Sequence, residues 1–376
     1  MSVDRLCDIV LLVWNHLELT RPCIESVLRC TDVPSRLLIV DNGSEEETKA
    51  YLRSVCGNNH VTVEVLTNST NEGFVGGMNR GMRHSTAPFV CLLNNDTLAT
   101  PGWLSRMVLA ANRFADIGIV NPASNTFGEQ PPHGVSIDAY AKLIANQRGR
   151  VVEAGQCIGF CMLIKRAVID SIGCLDDTLD RFFFEDSDYC LRAAKAGFRS
   201  AVARESYVWH AEHRSVRTMP DRERIFAANR QRFWARWGKP LRVAMVLDPS
   251  VAPDDRRLGE ALTEAVALAR RNSFVYLIYR DPDRLPAERL FERHGLMQHA
   301  NVSCLPYPRQ IGYQAYAAYR ILRRRKKPFD LVLASDGAML GRLAMVGRFV
   351  GAEAVPSHDA QRLEEVWERR SRFPLL

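Results

Sequence analysis

The chain has 376 residues, 47% of them hydrophobic and 25% charged. This balance excludes a disordered or low-complexity protein and leaves room for two domains of ordinary size. The net charge is +7, and from Leu241 onward there are 22 Lys and Arg against 16 Asp and Glu, a surplus of six. The first 240 residues are therefore almost neutral, with no basic stripe for nucleic acid. No apolar run approaches ~18 residues, so no membrane-spanning helix is expected. The N-terminus enters an apolar run almost at once and leaves no room for a signal peptide. Ten cysteines are scattered, and the closest pair, Cys157 and Cys161, has no second pair at zinc-site spacing. They are expected to be reduced thiols of a cytoplasmic protein, where the glycosylation matches at Asn68 and Asn301 carry no meaning.

In chain order, Asp8 to Asn15, Arg36 to Ser44 and Val61 to Asn68 are apolar runs that break into polar residues. They predict strands. Leu19 to Leu28 has apolar residues at three- and four-residue steps and predicts a helix, and Thr48 to Val55 a shorter one. Strand, helix, strand, helix, strand is the rhythm of a parallel sheet covered on both faces, with ligands beyond the carboxyl ends of the strands. Asn15, Asp41 and Asp96 would gather there. The glycine-rich run Asn71 to Gly81 lacks the dinucleotide pattern; its glycines allow positive φ or close approach of a ligand, or form a plain turn before a helix from about Met78 to His84. Leu92-Leu93-Asn94-Asn95-Asp96-Thr97 predicts a buried strand ending in a site for a hard cation beside a phosphate, or an ordinary turn.

In this order the chain resembles the family 2 glycosyltransferases, especially the bacterial rhamnosyltransferase-like and polysaccharide-assembly members. The matching pieces are Val13-Trp14-Asn15, Val40-Asp41-Asn42-Gly43-Ser44, Asn71-Glu72-Gly73-Phe74, Leu92-Leu93-Asn94-Asn95-Asp96, Gly159 to Arg166, Phe184-Glu185-Asp186-Ser187-Asp188 and His210. They span roughly residues 6 to 238. The resemblance implies a GT-A fold, a nucleotide-sugar-binding α/β domain with a Rossmann-like mixed sheet over residues 1–239, which transfers a sugar with inversion. It implies a nucleotide-sugar donor, a glycan, glycolipid or glycoprotein acceptor, and a setting in bacterial polysaccharide or glycoconjugate assembly.

A departing diphosphate needs its charge neutralised, which a divalent cation, Mn²⁺ or Mg²⁺, does as a Lewis acid. Asp96 stands where the family has its Asp-x-Asp motif, with Asn94 in place of the first acid. His210 is a second candidate ligand, with a buried inert histidine as the alternative and His213 close by. Asp41 can accept a hydrogen bond from N3–H of uracil or thymine, pointing to a UDP- or dTDP-linked donor, or it can make an Asx turn with Asn42 and Gly43. Val13, Asn15, Asn42, Asn71, Gly73, Phe74, Asn79, Asn94 and Asn95 complete the expected donor site. The acceptor hydroxyl must lose a proton to a carboxylate. Glu185 and Asp186 follow an aromatic run, Phe182 to Phe184, at the start of a helix predicted over Ser187 to Ala196 and closed by Gly197, where acids are also ordinary dipole partners. The resemblance makes Asp186 the base and leaves Glu185 to orient the acceptor; Asp188 is expected to cap the helix.

A boundary is expected near Gly238-Lys239-Pro240. Beyond it Leu241 to Leu247, Phe274 to Tyr279 and Phe329 to Ala334 predict strands, and Leu258 to Arg271 and Ile311 to Lys327 predict helices. This is a smaller Rossmann-like α/β domain over 240–376, resembling half of a GT-B fold. Pro249 to Pro253 stand where a glycine-rich loop would be, so it is expected to dock an acceptor, a partner or a second copy in a homo-oligomer rather than catalyse. Tyr313, Tyr316 and Tyr319 lead into Arg320 and Arg323 to Lys327, either a solvated helix end or a peripheral contact with an anionic membrane. A silent nucleotide- or sugar-binding scaffold and a nucleotidyltransferase are the other function classes. The intact acids oppose the first, and the missing triphosphate loop opposes the second. Asn125 to Gly155 show no legible pattern.

Overall fold

Cys7 to Leu11 are buried without interruption, the mark of a parallel strand covered on both faces. In this computed structural model, which describes residues 5–146, 150–179, 182–211, 221–309, 311–323 and 327–372, that strand is β1 (Cys7–Val13). There follow α1 (Leu17–Cys30), β2 (Ser35–Asp41), α2 (Glu46–Ser54), β3 (Val61–Thr67), α3 (Gly73–His84), β4 (Phe89–Asn94), β5 (Thr97–Ala99), α4 (Trp103–Asn112) and β6 (Ile117–Ala123). A 3₁₀ turn at Asn125–Phe127 precedes α5 (Ile137–Ile144), β7 (Val151–Ala154), β8 (Cys161–Lys165), α6 (Arg166–Ile172), α7 (Glu185–Lys195), β9 (Arg199–His210) and α8 (Arg222–Trp237). The chain divides into two compact units, Met1–Arg232 and Phe233–Leu376.

The first unit has the expected mixed α/β sheet, in the order β3-β2-β1-β4-β8-β6-β9-β5 with β7 paired to β9. β3, β2, β1 and β4 are mutually parallel, because α1, α2 and α3 are crossover helices between successive strands. β8 runs antiparallel to both β4 and β6. Register places Val13 opposite Asp41 and Leu12 opposite Asn94, which brings the carboxyl ends of β1, β2 and β4 into one row.

The glycine-rich run differs from its expectation. α3 begins at Gly73, five residues before the expected start. Only Gly73 has positive φ there (75°). Gly77 and Gly81 lie one helical turn apart and let α3 seat closely on β1: an added Cβ would stand 2.3 Å from Leu12 Cδ1 and 2.2 Å from Val10 Cγ1, respectively. Their role is helix–sheet approach, not approach of a ligand.

The second unit is a five-stranded, wholly parallel sheet of order β12-β11-β10-β13-β14. It contains β10 (Arg242–Val246), α9 (Arg256–Arg270), β11 (Phe274–Arg280), α10 (Ala287–Arg293), β12 (Val302–Tyr307), α11 (Tyr313–Leu322), β13 (Leu331–Ala334), α12 (Gly337–Phe349), β14 (Glu353–Pro356) and α13 (Ala360–Ser371). One face of the sheet buries Leu258, Leu262, Leu290, Phe291, Val366 and Trp367 from α9, α10 and α13. The other buries Tyr313, Ala317, Ile321, Met339 and Leu343 from α11 and α12. The expected tyrosine stripe is not one surface: Tyr313 is buried and donates to the Leu247 and Ile278 carbonyls, both at 2.8 Å. Tyr316 stacks on Tyr307 at 4.6 Å, and only Tyr319 is exposed. Arg324, Arg325 and Lys326 of the basic run lie outside the described residues.

Because Gly81 has a β1 side chain where its Cβ would go, Gly81→Val should destabilise the first unit by about 1–3 kcal/mol. Thermal unfolding would read this as a fall in Tm of several degrees.

Candidate active site

Asp96 and His210 are far apart in sequence and meet through strand pairing. β5 runs antiparallel to the end of β9, with Thr97 opposite His210. Ala211 N–H donates to the Asp96 carbonyl at 2.9 Å. The side chains then face each other, His210 Nε2 lying 3.3 Å from Asp96 Oδ1. Thr126 Oγ1 holds the other ring nitrogen, Nδ1, at 3.0 Å. Asn125 grips the His210 backbone on both sides, its Oδ1 accepting from N–H at 2.8 Å and its Nδ2 donating to the carbonyl at 2.6 Å. The ring stacks on Phe160, centroids 4.9 Å apart. His213 lies outside the described residues.

This donor set fits a divalent cation. Among the described residues no group of three or more His, Cys, Asp or Glu stands together, so a metal would have the Asp96 carboxylate and His210 Nε2 as charged and imidazole donors. Asn94 Oδ1 is a neutral oxygen nearby in sequence that is buried without a hydrogen-bond partner, the state expected of an acceptor awaiting a ligand. Diphosphate oxygens would supply the rest of an oxygen-rich shell. Asn95 turns away, its Nδ2 donating to Thr20 Oγ1 at 2.9 Å.

Glu185 and Asp186 open α7. Two bulky residues before them, Phe183 and Phe184, adopt left-handed φ of 76° and 72°, a strained conformation for aromatic residues. α8 holds it: Phe226 packs against both rings at 5.2 and 5.3 Å. Buried Asn229 donates Nδ2 to the Phe182 carbonyl at 2.9 Å. The two acids differ in surroundings. Asp186 accepts from Gly159 N–H (Oδ2, 2.9 Å) and Ser187 N–H (Oδ1, 2.6 Å). Burial raises its pKa, and those two donors oppose the rise. Glu185 is buried, and its Oε2 has no hydrogen-bond partner. Burial first, and the Asp186 charge second, push it up to about 8. Burial thus favours the protonated form of Glu185 at neutral pH, while the Gly159 and Ser187 N–H groups favour the charged form of Asp186. Asp188 is buried and pairs with Arg192 at 2.7 Å.

Gly159 and Phe160 join the two centres. Gly159 N–H reaches Asp186, while the Phe160 carbonyl accepts from Asn94 N–H at 2.8 Å and its ring lies on His210. Asn121, wholly buried, fixes this segment by accepting from Ile158 N–H (2.7 Å) and donating to the Ile158 and Cys161 carbonyls (2.9 and 2.5 Å).

On the nucleotide side, Asp41 makes the Asx turn: Oδ1 accepts from Ser44 N–H at 3.0 Å, its one side-chain partner among the described residues. Oδ2 is left to take a further donor. Asn15, at left-handed φ, accepts from Glu45 N–H at 2.7 Å through Oδ1, and its N–H donates to Ser44 Oγ at 3.0 Å. Val13 contributes its carbonyl to Asn42 N–H. Between them Trp14 is 42% exposed, an accessible aromatic face at the carboxyl end of β1.

Two of the residues expected at the donor site, Asn42 and Asn79, are hydrogen-bonded within the protein. Asn42 is buried with all its amide capacity used: Nδ2 donates to Asn71 Oδ1 (2.9 Å) and the Gly73 carbonyl (3.0 Å), and Oδ1 accepts from Asn68 Nδ2 (2.8 Å) and Glu72 N–H (3.0 Å). It shapes the loop and has nothing left for a ligand. Asn79 is buried and bonded at both ends of its amide to the Leu175 backbone, each at 2.9 Å, so it fastens that segment instead of lining a donor pocket. Asn71 itself is exposed, anchored through Oδ1, which also accepts from Gly73 N–H at 2.8 Å. Phe74 packs on the core below.

Residues 8–173 match the family model described as glycosyl transferase family 2. That match lies within the first unit. The chain is 25% identical over 234 residues to an uncharacterized protein, y4gI, of Sinorhizobium fredii, covering 57% of this chain and 25% of that protein. It is 22% identical over 201 residues to glycosyltransferase AglE of Haloferax volcanii, covering 53% of this chain and 64% of that one. The chain thus spans a quarter of the first relative and just under two thirds of the second. Among solved structures it is similar to mannosyltransferase PcManGT from Pyrobaculum calidifontis, in complex with GDP-Man and Mn²⁺. The identity is 15%, the TM-score 0.48, and 62% of this chain and 64% of that one are covered.

The Glu185 environment has a pH signature. A carboxyl raised from 4.5 to about 8 contributes stability that is fully present below the unfolded value and lost as pH rises through the folded one. The loss runs at about 1.4 kcal/mol per pH unit crossed. Glu185→Gln should therefore leave stability nearly unchanged at pH 4.5 and raise it progressively between pH 4.5 and 8, which Tm measured across that range would detect.

Proposed function

We propose that the protein is an inverting, metal-dependent glycosyltransferase that moves a sugar from a UDP- or dTDP-linked donor to a hydroxyl of a glycan, lipid-linked or protein-linked acceptor. One observation supports this reading above the rest: the buried carboxyl pair Glu185 and Asp186 is linked through Gly159 and Phe160 to the Asp96–His210 pair. A transferase needs both centres close together, one for the acceptor and one for the diphosphate.

The nucleotide base rests on Trp14, and Asp41 Oδ2 accepts its N3–H. The diphosphate lies toward Asp96, Asn94 and His210; a bound Mn²⁺ or Mg²⁺ there supplies Lewis-acid stabilisation of the departing charge. Asp186 accepts the acceptor proton as the acceptor oxygen bonds to the anomeric carbon and the bond from that carbon to the diphosphate oxygen breaks on the opposite face. Back-side displacement at one carbon inverts its configuration. Its two backbone N–H donors keep Asp186 ionised before attack, and its remaining lone pairs face the acceptor. Glu185, protonated at neutral pH, donates a hydrogen bond that orients the acceptor. The second unit is an accessory domain without a catalytic role.

Calorimetry with UDP, dTDP and GDP, each with Mn²⁺ and with EDTA, tests the donor half. Selective binding of UDP or dTDP that falls with EDTA is expected, and Asp41→Ala should weaken it about tenfold or more. Absence of binding to all three would favour a silent scaffold. Asp186→Asn should keep nucleotide affinity and lower kcat by about 10²–10⁴-fold; unchanged turnover in a folded variant removes Asp186 as the base.

A further inference from the structure

The two helical layers of the second unit differ in charge. On the α9, α10 and α13 side, cations and carboxylates alternate and pair: Arg271 with Glu364, Arg256 with Glu260, Arg289 with Glu292, and Arg362 with Glu353. That is the ordinary solvated surface of a parallel-sheet unit. On the α11 and α12 side there is not one acid. Residues 311–327 and 337–352 contain no Asp or Glu but eight Lys and Arg, of which Arg320, Arg323, Lys327, Arg342 and Arg348 lie among the described residues. Among the described residues none of these five is paired with a carboxylate. Arg320 donates to the Tyr316 hydroxyl, Arg323 lies over the Tyr319 ring, and Arg342 bonds Gln314, tying the two helices together. The acids that flank the helices are occupied. Asp336 caps α12 through Met339 N–H at 2.6 Å, Asp330 accepts from Arg242 N–H at 2.8 Å, and Glu353 is held by Arg362 and Arg369.

The same layer exposes its apolar side chains. Ile311 (90% exposed) and Phe349 (86%) are the two most exposed large apolar residues described, and Met345 (66%) lies one turn before Phe349 on α12. Tyr319 and Leu322 are exposed on α11. Arg342, Met345, Arg348 and Phe349 recur at three- and four-residue steps and so share one face of α12. A face of cations and large apolar groups with no carboxylate is costly in water. It suits a surface that is negative outside and hydrocarbon just beneath. Nucleic acid has the charge but no hydrocarbon to receive Ile311, Met345 and Phe349.

We propose that the α11–α12 face docks the protein on an anionic lipid bilayer, with Ile311, Met345 and Phe349 entering the acyl boundary and the five cations at headgroup level. This holds whether or not the first unit is a transferase, because none of these residues belongs to the site described above.

The test is flotation of the full chain with vesicles of phosphatidylcholine alone and of phosphatidylcholine with phosphatidylglycerol, at low and at physiological salt. Binding is expected only with phosphatidylglycerol and should weaken as salt rises. Removing a cation should weaken partitioning roughly fivefold, so R342E/R348E should reduce it by well over an order of magnitude. M345S/F349S should reduce it at both salts. R256E/R289E, on the paired face, should bind like the wild type. Unchanged Tm and nucleotide binding keep the α12 variants interpretable. No binding to anionic vesicles, equal binding to neutral ones, or binding that survives both α12 pairs overturns the proposal. Binding of RNA without vesicles would assign the face to nucleic acid instead. A dimer lost in M345S/F349S, again without vesicle binding, would assign it to a second copy of the chain.

Discussion

The site depends on the seating of one short segment, Ile158 to Cys161. Asn121, buried at the middle of β6, grips it with three hydrogen bonds. Once held, it meets Asp186 through a backbone N–H, Asn94 through a carbonyl and His210 through a ring. Gly159 is not there to relieve crowding, since an added Cβ would make only an ordinary contact of 3.6 Å with Asp186 Cβ. Its N–H is what matters, because it is one of two donors that stabilise a charge burial would otherwise suppress.

Burial at the start of α7 separates two adjacent carboxyls into different states. Both lose water, but Asp186 accepts from the Gly159 and Ser187 N–H groups, which oppose the rise, whereas burial and the Asp186 charge push Glu185 up to about 8. This requires the chain to enter α7 at an angle that Phe183 and Phe184 reach only at left-handed φ. Such conformations cost about 1–3 kcal/mol each and persist where packing over-determines them. Phe226 and Asn229 of α8 supply that packing. α8 therefore supports the start of α7, where the proposed base Asp186 stands.

The second unit is also shaped by what its two faces bury. Each side of a parallel sheet needs a helical cover, and the unit makes one cover ion-paired and the other cationic and apolar. The whole-chain excess of positive charge is concentrated in this unit, and, among the described residues, α11 and α12 add cations without a carboxylate partner beside exposed apolar groups.

The sequence by itself determined much of the sheet. The buried strands β1, β2 and β4 hold apolar runs, and α1 and α9 carry apolar stripes, because burial of a repeating element leaves a repeating pattern. The acids were legible too, since Asp41, Asp96, Glu185 and Asp186 stand at strand or helix ends within ordered motifs. Short or half-buried elements left no such trace: β12 contains Pro306, β14 has four residues, and α12 is rich in glycine. Only the tertiary structure decided which polar residues are bonded inside the protein. Asn42 and Asn79 look like site residues and are consumed inside the protein, while Asn121, Asn125, Thr126 and Asn229 carry no local signal and hold the site in place. A hydrogen bond across 37 or 85 residues is set by which strands pair. His210 likewise becomes a partner of Asp96 only when β5 and β9 come together.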